Sequence, residues 1–142
     1  MRSRDALSPP EALVLTMVLI AAADGGLTDR EIGVMSGQVQ TLPAFHTFTA
    51  DNLADVTEAA VRLLRAEDGL AYAGRLMRAA LDPRLRETAY ALACEVIAGS
   101  RDLKQQSLDM LEFVREELHL DPLIAAAIER GARARHQQLD AG

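Results

Sequence analysis

The chain has 142 residues, enough for one domain that buries roughly 68–70% of its unfolded surface, so a core needs no disulfide or structural metal. Lysine and arginine number 15 against 21 aspartates and glutamates, and the net charge of −6 argues against a nucleic-acid groove or an anionic membrane face. Apolar residues at 49% and charged residues at 25% are the balance of a globular protein, not a disordered one.

The N-terminal MRSRD is followed by Ser8, Pro9, Pro10 and Glu11 and not by an apolar stretch, so it does not read as a secretory signal; a cytoplasmic protein is expected. Ser8-Pro9-Pro10-Glu11 reads instead as a helix start, with a serine N-cap, proline in the first turn and a capping-box glutamate. The helix it opens, 9–23, is apolar nearly all round and is expected to be the central, most buried element. Its apolar run, Ala12 to Ala23, is interrupted by Thr16 and is well short of the ~20 residues that span a bilayer.

A second capping box, Thr28-Asp29-Arg30-Glu31, opens helix 28–41, in which Ile32, Met35, Val39 and Leu42 form one stripe facing a core. Pro43 to Thr49 is the clearest loop, with His46 packed between Phe45 and Phe48. Helices 51–66, 69–80, 83–98, 103–119 and 122–137 follow. Asp68, Asp82, Asp102 (with Gln105 three residues on) and Asp121 are their N-cap candidates. Leu108, Leu111, Val114 and Leu118 repeat the stripe of the second helix. Strand signals are scarce, so the expected fold is all-α, a single domain of about seven helices.

Shifted by 76 residues, the first half aligns on the second without a gap. Glu11 falls on Glu87, Ile20 on Val96, Leu27 on Leu103, Ile32 on Leu108, Met35 on Leu111 and Leu42 on Leu118. Each copy is a buried helix, a turn and an amphipathic helix. The domain therefore divides into repeat 1 (about 9–42), central helices (about 51–80), repeat 2 (about 83–118) and a C-terminal helix. Two such hairpins related by a pseudo-two-fold axis bring their turns together as a candidate ligand site.

The run from Ala21 to Glu31, AAADGGLTDRE, resembles the A-D-G-x-[IL]-x-x-x-E turn of the TerB-like tellurite-resistance family, and Leu118-His119-Leu120-Asp121-Pro122 resembles that family's closing L-G-L-D-P stretch. The likeness spans roughly residues 10–122. It implies an all-helical fold whose acidic turns hold a divalent cation such as Ca²⁺ or Mg²⁺. It further implies a non-enzymatic role in a bacterial stress response with protein partners. On this resemblance Asp24 and Glu31 match the acidic pair and Gly25 the glycine, and Asp29 and Asp102 complete a candidate metal set. The second turn departs from the pattern: Ser100, Arg101 and Ser107 stand where Asp24, Gly25 and Glu31 stand in the first. A hard cation wants six to eight oxygens, so any metal is expected to bind weakly. Arg101 is expected to offer an internal ion pair to Asp24, Asp29 or Glu31 in its place. Tellurite is itself an oxyanion, which an acidic patch repels.

The remaining residues point to no enzyme. Cys94, the single cysteine, reads as a small core residue, and the histidines at 46, 119 and 136 have no metal-ligand spacing. No nucleophile–base pair, phosphate loop or nucleotide fingerprint occurs. Arg130, Arg133, Arg135 and His136 make the last helix end basic, as suits a helix C-terminus. Two functions follow as expectations: an ion module at the first turn, or a helical protein-interaction module that has lost the ion.

Overall fold

The computed structural model describes residues 6–23, 25–99 and 104–139, and among them every regular element is helical. Seven α-helices run in chain order: α1 (Pro9–Ala22), α2 (Asp29–Thr41), α3 (Ala50–Arg65), α4 (Gly69–Ala80), α5 (Pro83–Ala98), α6 (Gln105–Glu117) and α7 (Pro122–Arg135). A 3₁₀ turn, Pro43–Phe45, follows α2.

α1 is the centre. Every residue from Ala12 to Ala21 is buried, because the helix has no polar face to turn to water. Its one polar interior residue, Thr16, donates its hydroxyl to the Ala12 carbonyl at 2.8 Å and so needs no other partner. α5 and α3 pack most extensively on α1, and α7 packs on α5. The core they enclose is completed by Met35, Phe45, Met77, Leu81, Tyr90, Val114 and Leu118.

The helix starts follow local chemistry. Ser8 and Thr28 form reciprocal capping boxes with Glu11 and Glu31. Asp82 accepts from the Leu85 N–H, and Asp121 from those of Leu123 and Ile124. A further capping box, Thr49 with Asn52, opens α3. Two starts differ from expectation. α6 begins at Gln105 with Lys104 in the N-cap position; Gln105 is thus the first helical residue and donates its amide to Asp109 at 2.8 Å. Asp68 precedes α4 in the left-handed region (φ 58°) and makes no side-chain cap bond. There the chain passes so close to α3 that a Cβ on Gly69 would lie 2.0 Å from the Leu63 carbonyl oxygen, which only glycine permits.

α6 ends in a Schellman motif: the Leu120 N–H reaches the Arg115 carbonyl and the His119 N–H that of Glu116. The residue at its left-handed position is His119 (φ 55°), where glycine would be unstrained.

The shift of 76 residues carries into the element bounds: α2, Asp29–Thr41, falls on Gln105–Glu117, which is α6. The stripes, however, are shorter than the spacing suggests. Met35 and Val39 are buried and Leu42 partly so, but Ile32 is 44% exposed; on α6, Val114 and Leu118 are buried while Leu108 is 38% exposed. Each stripe begins one turn inside its helix because the first turn overhangs a cavity. His46 also departs from expectation: Phe45 is buried and its ring tilts against Phe48 at 5.7 Å, whereas His46 faces solvent.

Candidate functional site

The first turn is the site the sequence singles out. Asp24 and Asp102 lie outside the described residues, as do Ser100 and Arg101, so the expected ion pair of Arg101 lies outside them too. Asp29 and Glu31 stand in the first turn of α2. Asp29 is exposed. Glu31 is engaged locally: its Oε1 accepts from the Thr28 N–H at 3.0 Å and from the Thr28 hydroxyl at 3.2 Å, while its own N–H donates to Thr28 Oγ1. That arrangement satisfies helix-terminal donors and places a negative charge at the positive end of the helix. Gly25 supports the turn with φ 125°, a conformation suited to glycine. Among the described residues, no three His, Cys, Asp or Glu side chains gather as a metal group.

A different region concentrates buried polar chemistry. The C-terminal halves of α5 and α7 and the first turns of α6 meet at a corner, and beside it Glu95 is a buried carboxylate on the core helix α5. Its Oε2 accepts from Arg135 Nη1 at 2.9 Å and its Oε1 faces His136 Nε2 at 3.0 Å. Both partners come from the end of α7, so one buried charge fixes where that helix stops. Burying a carboxylate costs several kcal/mol unless it is paired and hydrogen-bonded, and Glu95 is both.

One turn away, the Tyr90 hydroxyl donates to Glu129 Oε2, a second link between α5 and α7. Burial, then the bond to Glu129, push the Tyr90 hydroxyl well above its ordinary range. Cys94 lies between these links. Burial, reinforced by the nearby charges of Glu129 and Glu95, pushes its thiol up to about 12, so it stays protonated and unreactive at neutral pH.

Beside these bonds an apolar groove of about 420 Å³ opens between the three helices, walled by Ile97, Ala98, Leu108, Leu111 and Ala132 with Glu129, Arg133 and His136 at its edge. Its size falls within the ~300–1,000 Å³ of ordinary ligand pockets, and apolar walls with a few converging polar groups are their usual composition. A second trough, of about 660 Å³, lies between α2 and α3 along Ile32, Met35, Leu53 and Val61. Its rim charges, Glu58 and Arg62, pair with each other at 3.2 Å.

The corner was hard to see in the sequence because its partners lie far apart along the chain: Glu95 and His136 are 41 residues apart, as Tyr90 and Glu129 are 39. The signal available was local: one glutamate in the otherwise apolar stretch ALACEVIA. No family model, curated protein or solved structure matches the chain.

Proposed function

We propose that the chain is a non-enzymatic helical binding module whose ligand site is the α5–α6–α7 corner. The observation that carries this reading is the open apolar groove between α5, α6 and α7, whose edge residue His136 is bonded to the buried Glu95. A buried charge retained beside a ligand-sized groove is a feature of functional sites more than of plain core. The TerB-like setting, a cytoplasmic stress-response role with protein partners, belongs to the same proposal and rests on the Ala21–Glu31 turn, the Leu118–Pro122 stretch and the repeat.

A neutral solvatochromic dye such as Nile red tests the site. Saturable binding is expected in the parent chain, lost in Ala98→Trp, which fills the corner groove, and kept in Ala54→Trp, which fills the α2–α3 trough. Binding lost only in Ala54→Trp would move the site to the trough. Melting temperatures of both variants exclude loss through unfolding.

The divalent-cation module is the alternative proposal. It rests on Asp29, exposed at the α2 N-terminus, and on Glu31, which already serves its cap. Calorimetry of chelator-stripped protein against Ca²⁺ and Mg²⁺ separates the two: saturable heat lost in Asp24→Ala would favour the ion module.

A further inference from the structure

The corner site has a chemistry of its own, and the following inference rests on the binding proposal above. At Ala98, His136 and Gln137 the apolar groove passes into a second cavity of about 600 Å³. Arg30, Gly99, Arg135 and Gln138 complete its lining, so among the described residues every charged group on that wall is a cation or, in His136, becomes one on protonation. This cationic wall belongs to a chain with a net charge of −6.

Glu95 lines neither of these two cavities. It lines a separate cavity between α2, α5 and α7 and is bonded to Arg135 Nη1 and His136 Nε2. A guanidinium carries five N–H donors in a planar fork, so the contact through Nη1 leaves others for an incoming anion. The Arg135 side chain is 66% exposed and Arg30 is exposed as well, so both remain within reach of solvent. In the apolar groove the two charged side chains, Glu129 and Arg133, are of opposite sign, and Glu129 is bonded to Tyr90.

An apolar groove continuous with a cationic cradle suits a ligand that has both parts. An inorganic anion would leave the groove empty, and a neutral apolar molecule would leave the cations without a role. The α2–α3 trough carries less positive charge: Glu58 and Arg62 on its wall pair with each other, which leaves Arg65 as the one further cation there among the described residues. We propose that the corner binds a single-chain anionic amphiphile, a fatty carboxylate or an alkyl phosphate, with its hydrocarbon chain along Ile97, Leu108 and Leu111 and its head group on Arg30, Arg135 and His136.

Calorimetric titration below the micellar range tests this with decanoate, decyl phosphate, decyltrimethylammonium and octyl glucoside. Saturable binding of decanoate or decyl phosphate is expected, and the stronger of the two identifies the head group. Arg30→Ala should weaken anion binding about ten-fold, the loss of one charge-assisted hydrogen bond, and leave octyl glucoside unaffected. Arg30 takes no part in the Glu95 contacts, so this variant leaves the corner packed. Equal affinity for anionic and neutral chains would overturn the head-group assignment while keeping the groove as a site. No saturable binding of any chain, with Nile red still bound, would overturn the amphiphile and spare the site; failure of both would overturn both proposals. Binding to phosphatidylglycerol vesicles without binding to free decanoate would also overturn it.

Discussion

Ile32 and Leu108 occupy the same step of the internal repeat, and both lie exposed over an apolar cavity, yet the two cavities differ in kind. The difference originates in the core helices beneath them. Shifted by 76 residues, Leu19 of α1 becomes Glu95 of α5, Val14 becomes Tyr90 and Val18 becomes Cys94. α1 is therefore a packing element throughout, its one hydroxyl bonded within the helix. α5 is buried from Ala89 to Val96 except at Ala91, and carries a carboxylate and a phenol whose partners come from α7 and its C-cap. α1 thus supplies plain core, whereas α5 adds buried polar groups beside the groove that it walls.

Exchanging the residues at the equivalent positions should break the comparison most sharply. Leu19 is fully buried in the apolar core, so Leu19→Glu is expected to cost about 4–5 kcal/mol or prevent folding. Glu95→Leu should change stability by less than about 1 kcal/mol, because it removes the buried charge and leaves Arg135 and His136 free to hydrate. Urea titrations of the two variants measure both values. A large loss in Glu95→Leu would show that the ion pairs, and not apolar packing, hold α7 in place.

The converse substitution comes next in size. Arg135→Ala with His136→Ala leaves Glu95 buried without its two partners and should cost about 2 kcal/mol, more than Glu95→Leu does. Melting curves of the two variants, run side by side, test the order.

The two hairpins end differently as well: α2 ends at Leu42 in extended conformation, whereas α6 passes through Leu118 into His119 at a positive φ. His119→Gly should therefore raise stability by about 1 kcal/mol, provided the Schellman bonds persist. An unchanged melting temperature would mean that the imidazole offsets its backbone strain.

The smallest effect is one of pH. The Cys94 thiol is raised from 9.0 to about 12 by burial, and burial raises Tyr90 in the same direction. Both groups hold their protons more tightly in the folded state. The thiol's contribution is thus complete below about pH 9 and is lost as the pH rises toward 12. Cys94→Ala should flatten the thiol part of that decline. At pH 8 the native protein should react with a thiol reagent only as fast as it opens.

Most of the fold was legible because its signals are local. Capping residues at Ser8, Thr28, Asp82 and Asp121 set helix starts by bonds within three residues, and the apolar run of α1 declared its burial outright. Ile32 and Leu108 misled because periodicity says which face of a helix points inward but not how far along it the neighbour extends. The start of α6 was placed too early: Asp102 is the favourable N-cap residue by type, yet the helix begins at Gln105 with Lys104 in that position. At the first turn Glu31 was legible as a cap and is one. The corner was not legible: no spacing rule joins Glu95 to a histidine on another helix, and only packing brings α7 across α5.

Amide chemical-shift mapping with a small neutral fragment such as naphthalene tests most directly whether the corner is the binding site. Shifts confined to Cys94, Ile97, Ala98, Leu108, Leu111 and Ala132, and abolished in Ala98→Trp, are the predicted result. Shifts centred on Met35, Leu53 and Val61, with the corner unmoved, would contradict it and assign binding to the first half of the repeat.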